Sequence, residues 1–165
     1  MKAIPVILGS AATLVFSSGG IARADTPAAC STGQIQVSNG GEQAAAGHRR
    51  VLLVLSLTAG VAPCTLTGYP GVMSGAGGPV VHAEWTPAGY MGGAGPGTPP
   101  VVTVSPGQPG YAVVEGAAVD NEDPDRPCPT YTELHVIPPD TTDPITVTTR
   151  IDTCRLQVHP VTSRP

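Results

Sequence analysis

The sequence contains almost no lysine and few aromatic residues. Lys2 is the only lysine among 165 residues, phenylalanine and tryptophan occur once each, and the formal net charge is −4. Nucleic acids and anionic membrane surfaces select proteins with basic patches, so we expect no nucleic-acid partner. With so few aromatic side chains, the core must consist mainly of Val, Leu and Ile, and covalent cross-links would help so thin a core.

No apolar run is long enough to cross a membrane as a helix, which needs about 20 residues. The longest, Ala3–Phe16, follows Lys2 and precedes Ala22-Arg23-Ala24, whose small residues suit a signal peptidase. We therefore predict that residues 1–24 are a signal peptide and that residues 25–165 form a single domain. The mature protein is expected to be secreted or extracytoplasmic, in the cell envelope or outside it, with no transmembrane segment after cleavage.

Four cysteines lie beyond the signal peptide, and none belongs to the C-x-x-C pair of zinc ribbons and thioredoxin-like proteins. An even number of cysteines in an exported chain predicts disulfides, and four cysteines allow three pairings. We favour Cys30–Cys64 with Cys128–Cys154, because each pair closes a local loop. A lipid anchor on Cys30 is not expected, because Pro27 occupies the position of the Leu-like residue in a lipoprotein signal.

Alternating apolar residues and frequent turn formers predict an all-β fold, a small immunoglobulin-like β-sandwich of about seven to nine strands with two disulfides. The first strand is expected over Gly33–Ser38, ending at Asn39-Gly40-Gly41. The strongest strand, Arg49–Thr58, carries apolar residues on both faces, which is typical of a central strand. No window beyond the signal peptide has helical periodicity, and we expect the tail after Pro160 to be frayed.

Candidate catalytic and metal-binding residues are scattered rather than clustered. The four histidines form no i, i+2 or i, i+4 pair, and His135 and His159 are expected to face solvent on alternating strands. The acidic run Asp120–Asp125 lacks the glycine and the distal glutamate of an EF-hand, so we expect a solvated loop. Ser74 lies among glycines at the wrong spacing for a nucleophile elbow. We therefore predict no catalytic residue, no metal site and no cofactor.

The best binding candidate is the loop Thr86–Pro100, which is rich in glycine and proline. Its bulky side chains are Tyr90 and Met91, and Trp85 directly precedes it. Tyr and Trp anchor interfaces at low entropic cost, so these three side chains are the predicted binding residues. In the alternative interpretation, Trp85 is a core residue and the loop is a disordered connection.

Several segments of the chain together resemble a known family. They are Cys64–Val72, Val104–Gly107, Cys128–Pro139 and Cys154–Val161. The combination resembles the actinobacterial secreted domain-of-unknown-function family 4232, over about residues 30–161. The resemblance implies a compact extracytoplasmic β-sandwich, and it implies no catalytic residues.

The leading hypothesis is a non-enzymatic secreted or cell-envelope module with a binding or accessory role. Its partner would be a cell-envelope or extracellular protein, or a glycan. A secreted hydrolase with an unrecognised site is the first alternative. A structural or interaction protein of the cell surface is the second.

Overall fold

The computed structural model describes residues 26–165, so the predicted signal peptide, residues 1–24, lies outside the described residues. The strands are β1 (Ile35–Ala45), β2 (His48–Leu57), β3 (Cys64–Thr67), β4 (Gly71–Ser74), β5 (Val81–His82), β6 (Glu84–Trp85), β7 (Val101–Val104), β8 (Gly110–Ala117), β9 (Thr130–Ile137), β10 (Ile145–Asp152) and β11 (Arg155–Val158). A single 3-10 turn, Tyr90–Gly92, lies between β6 and β7. The all-β prediction is confirmed. Within residues 26–165, no helix is long and apolar enough to span a membrane.

The strands form three sheets around one apolar core. A five-stranded sheet has the order β1-β2-β8-β11-β6, a four-stranded sheet has the order β10-β9-β4-β5, and β3 pairs with β7. All three sheets contribute to one buried cluster, and its largest fully buried side chains include Leu53, Leu55, Leu66, Leu134, Ile151 and Leu156. The cluster contains a single aromatic side chain, Tyr131. The arrangement is therefore sandwich-like, with the aliphatic core that the composition predicted.

The first strand continues through a bulge, so the prediction that Asn39-Gly40-Gly41 ends it is wrong. β1 extends to Ala45, and its pairing with β2 shifts register between Asn39 and Glu42. A Cβ atom at Gly40 would lie 2.6 Å from Val54 Cγ2, so only glycine allows this close approach to β2. β2 itself lies between β1 and β8, as its two apolar faces predicted.

The residue after the bulge ties the two larger sheets together. The carboxylate of Glu42 accepts hydrogen bonds from Thr149 Oγ1 at 2.6 Å and from the backbone N–H of Arg150 at 2.9 Å, both on β10. These bonds, the hydroxyl's first, hold the pKa of Glu42 below its usual range. The ionised side chain therefore joins an edge strand of one sheet to an edge strand of the other.

The favoured disulfide pairing is confirmed. Cys30–Cys64 and Cys128–Cys154 close loops of 34 and 26 residues in sequence separation, with Cα atoms 4.9 and 4.8 Å apart. The first bond secures the N-terminal segment beside β3, where the N–H of Cys30 also donates to the carbonyl of Thr65 at 2.9 Å. Disulfides of this kind form in oxidising, extracytoplasmic environments.

The C-terminal tail is packed, so the prediction of a frayed tail is wrong. Val161 is fully buried, and Tyr111 and Thr162 exchange two backbone hydrogen bonds of 2.8 Å. The N–H of Val161 also donates to the carbonyl of Gly68 at 2.8 Å. The tail therefore runs beside the first residues of β8.

Candidate ligand-binding groove

The loop of residues 86–100 folds over the outer face of the five-stranded sheet. On that face, Arg50, Glu115 and Gln157 are direct cross-strand partners on β2, β8 and β11. Direct partners point to the same side of a sheet. The neighbouring residues Val51, Val114, Leu156 and Val158 point to the other side and are buried in the core. The loop therefore covers a polar patch that lies outside the apolar core.

Glu115 is the centre of a polar cluster with His48 and His159, here called the Glu–His cluster. The side chains of Glu115 and His159 are 6% and 8% exposed, and His48 is half-buried. His48 Nδ1 lies 2.5 Å from one carboxylate oxygen of Glu115, and His159 Nε2 lies 3.0 Å from the other oxygen. The backbone N–H of Met91 donates to both oxygens at 3.3 Å. A buried carboxylate needs such partners, because an isolated buried charge is costly.

Both ring nitrogens of His159 are engaged in the Glu–His cluster. Nδ1 lies 2.6 Å from the carbonyl oxygen of Ala88, which can only accept, so this nitrogen carries a hydrogen. One further proton lies between Nε2 and Glu115, either on the imidazole or on the carboxyl group. The prediction of a solvent-facing His159 is therefore wrong, because the loop covers this side chain.

The Glu–His cluster fixes the loop by two backbone groups, the carbonyl of Ala88 and the N–H of Met91. Met91 adopts a left-handed conformation (φ 55°, ψ 33°), which non-glycine residues rarely adopt, and its hydrogen bonds to Glu115 hold it there. The loop also closes on itself at Gly95, where a Cβ atom would lie 1.8 Å from the carbonyl oxygen of Pro87. The loop therefore has a defined conformation over the sheet.

A groove of about 390 Å³ lies between the loop, the sheet and the C-terminal tail, a volume in the range of small-molecule sites. Its walls are formed by Ala88, Gly89, Tyr90, Ala94, Gly95 and Pro96 of the loop, by Arg50, Tyr111 and Val113 of the sheet, and by His159, Pro160, Thr162, Arg164 and Pro165, which follow β11. Of the residues that the structure describes, Arg50 and Arg164 are the arginines in its lining, and no Asp or Glu side chain is among them. Within residues 26–165, neither guanidinium group forms an ion pair.

Tyr90 forms part of the groove wall and packs against the Glu–His cluster. Its ring lies edge-on to the ring of His48, with centroids 6.3 Å apart. The Tyr90 hydroxyl oxygen is buried and has no hydrogen-bond partner in the part of the chain that the structure describes. A buried hydroxyl without a partner costs about 1–3 kcal/mol, so a ligand atom that reached this oxygen would form a favourable hydrogen bond.

The three predicted binding residues are distributed over two sites. Tyr90 lines the groove, and Met91 is anchored by its backbone while its side chain remains 43% exposed. Trp85 stacks on Tyr69 and lines a second groove at another edge of the sheets. Because Trp85 is 67% exposed, its interpretation as a core residue is wrong.

The remaining sequence candidates do not join the Glu–His cluster. Ser74 is fully buried, and its hydroxyl donates to the carbonyl of Glu133 at 2.6 Å. In the acidic run, Asp120 accepts the backbone N–H of Glu122 and pairs with Arg126, and these bonds hold the pKa of Asp120 below its usual range. Among residues 26–165, no group of three or more His, Cys, Asp or Glu side chains is placed to hold a metal ion.

Sequence reasoning missed the Glu–His cluster, because its members are far apart in the chain. Glu115 lies 67 residues from His48 and 44 from His159, and only the pairing of β2, β8 and β11 brings them together. One signal was available. Glu115 is a charged residue in the middle of an apolar strand, a position where a charge requires a specific partner.

The fold and the groove define a small, disulfide-linked all-β domain with a ligand-sized groove on the outer face of one sheet. The chain belongs to the family described as a domain of unknown function (DUF4232), whose model matches residues 30–162. The match agrees with the predicted family and with its predicted span, 30–161. A search of the curated proteins and a search of the solved structures each found no match.

Proposed function

We propose that this protein is a non-enzymatic, extracytoplasmic binding module whose ligand occupies the groove beneath the loop of residues 86–100. The ligand carries an anionic oxygen group, a carboxylate or a phosphate, attached to a small apolar body. One observation carries the proposal: two arginines without ion-pair partners in the described chain line the same groove as Tyr90, whose buried hydroxyl is unpartnered.

The charge of the groove supports an anionic ligand. Arginine recognises carboxylates and phosphates through a planar fork of donors, and such charge-assisted bonds are stronger than neutral ones. The protein as a whole is acidic, with a formal net charge of −4, whereas Arg50 and Arg164 place two positive charges in the lining of this groove. The apolar parts of the wall, such as Val113 and Pro160, suit the body of the ligand.

The bonding of the candidate catalytic groups supports a binding role over a hydrolase. Both ring nitrogens of His159 already bind protein atoms, and the buried Ser74 hydroxyl already donates a hydrogen bond to a backbone carbonyl. All four cysteines are in disulfides. These groups hold the loop or the core in place, and this structural use of them favours a binding protein over a hydrolase. The ligand-sized groove likewise favours a ligand-binding module over a purely structural protein of the cell surface.

The proposal is tested with two matched pairs of probes. Isothermal titration calorimetry would compare N-acetyl-leucine with its neutral amide, and phenyl phosphate with phenol. We expect at least one anion to bind and its neutral counterpart to bind about tenfold more weakly or not at all. The two anions distinguish a carboxylate ligand from a phosphate ligand.

Variants locate the binding site. Arg50→Gln is expected to weaken the anion by about tenfold, and Tyr90→Phe by a smaller factor, because it removes only a neutral hydrogen bond. Arg155→Gln is the matched control, since Arg155 is an exposed arginine of the same sheet that does not line the groove. Equal affinity for charged and neutral probes, or equal losses in Arg50→Gln and Arg155→Gln, would contradict the proposal.

We also propose that the protein is secreted by an actinobacterium and that residues 1–24 are removed during export. The signal-like N-terminus and the two disulfides support this. Mass spectrometry of the exported protein is expected to find Asp25 as its first residue. An exported form that still starts at Met1 would exclude cleavage.

A further inference from the structure

The second groove contains the most exposed large aromatic side chain of the described residues. Trp85 is 67% exposed at the end of β6, an edge strand of the five-stranded sheet. Its ring stacks on Tyr69, with centroids 5.3 Å apart and an angle of 9° between the ring planes. Tyr69 is partly buried, so it supports the tryptophan from one side and leaves the exposed side of the indole as a flat apolar platform.

Polar groups surround this platform. The groove has a volume of about 350 Å³, and its lining includes the buried residues Pro138 and Pro139. Among the described residues, Asp140 is the only charged residue in its lining, which also includes Thr67 and Thr141. Asp140 is exposed, has a left-handed backbone (φ 62°) and lines the same groove as the aromatic pair.

We propose that this second groove binds a neutral saccharide, with the apolar face of one sugar ring stacked on Trp85 and its hydroxyl groups bonded to Asp140. A sugar ring combines a flat patch of C–H groups with peripheral hydroxyls, and this groove combines a flat aromatic platform with peripheral acceptors. Carboxylate oxygens accept hydrogen bonds from hydroxyl donors, and these bonds are the stronger, charge-assisted kind. The inference is independent of the ligand proposed for the first groove.

The geometry favours a saccharide over two other ligand classes. A proline-rich peptide inserts its rings between aromatic side chains that line a groove, whereas Tyr69 and Trp85 are stacked on each other and leave no slot between them. An anionic ligand would be repelled by Asp140, since no basic side chain within residues 26–165 lines the groove. A neutral polyhydroxylated ligand meets neither obstacle.

Trp85 is the only tryptophan of the chain, so its fluorescence reports on this groove alone. The full mature chain would be titrated with cellotriose, with the trimer of N-acetylglucosamine and with hexaproline, under selective tryptophan excitation. We expect a saturable change in Trp85 fluorescence with at least one trisaccharide and none with hexaproline. If neither saccharide changes the fluorescence, or if only hexaproline does, the proposal is overturned.

Two variants retain the tryptophan reporter. Asp140→Asn keeps a residue that tolerates the left-handed backbone, and we expect it to weaken the saccharide by about tenfold because charge-assisted bonds are lost. Tyr69→Ala removes the supporting ring and is expected to weaken binding by up to about tenfold. Arg50→Gln, in the first groove, is the matched control and should leave the saccharide affinity unchanged. Unchanged affinity in Asp140→Asn, or an equal loss in Arg50→Gln, would place the saccharide elsewhere and overturn the assignment.

Discussion

Replacing Glu115 with alanine is expected to destabilise the folded protein by about 3 kcal/mol. The change leaves His48 Nδ1, His159 Nε2 and the N–H of Met91 without their shared acceptor beneath the loop. The loop of residues 86–100 would lose one of its two anchors on the sheet. Urea unfolding measures the change in the free energy of unfolding, and hydrogen exchange at Met91 measures the opening of the loop.

Glu115→Gln is the matched variant, and we expect a much smaller loss. His159 Nδ1 keeps its bond to Ala88, its neutral Nε2 can accept from the glutamine amide, and the amide oxygen still accepts from Met91. Glu133→Ala is the control, because it removes a Glu–His pair that is half exposed: Glu133 Oε1 lies 3.2 Å from His135 Nε2. We expect this variant to lower the free energy of unfolding by about 0–1 kcal/mol. If Glu115→Ala is no worse than Glu133→Ala, the Glu–His cluster does not hold the loop.

Removing either disulfide is expected to destabilise the protein by about 3.5–4 kcal/mol, the largest effect we predict. The estimate follows from loops of 34 and 26 residues, whose closure restricts the unfolded chain. A domain with a thin aliphatic core depends on such cross-links. The double variants Cys30→Ala/Cys64→Ala and Cys128→Ala/Cys154→Ala would be compared with the parent by urea unfolding.

The two loop lengths are similar, so the chain-entropy parts of the two losses should agree within a few tenths of a kcal/mol. Cys30 and Cys64 are both 2% exposed, so the first double variant also loses some core packing. Reduction of the parent protein is the control, because it breaks both disulfides without replacing any residue. An unchanged urea midpoint after complete reduction would show that the disulfides do not support the fold.

Local sequence features predicted those parts of the fold that local interactions determine. The two-sided apolar pattern of Arg49–Thr58 identified the central strand, and the short spacings between cysteines identified the disulfide pairs. Asn39-Gly40-Gly41 has the composition of a turn, but the same glycines also suit a bulge in a continuing strand. Only the approach to Val54 on β2 distinguishes the two, and that contact is not local.

The candidate site was less accessible from the sequence, because its parts are joined by tertiary contacts. Composition alone singles out the loop and Tyr90 as binding candidates, whereas the Glu–His cluster depends on the order of β2, β8 and β11 in the sheet. His159 follows an alternating strand whose outer positions normally face water, yet the loop covers it. The prediction of a frayed tail is wrong for the same reason, because the tail is held by backbone hydrogen bonds to Tyr111 and Gly68, which are distant in the sequence.

The central claim is that the groove beside Tyr90 binds an anionic ligand, and an NMR titration of the mature protein with N-acetyl-leucine and phenyl phosphate tests it most directly. We expect saturable shifts of the backbone amides of Tyr90, Tyr111, Val113 and Thr162 and of the Arg50 side chain, with at least one of the two anions. Shifts that centre on Arg155 or on the acidic run, or no saturable shifts with either anion, would contradict the claim.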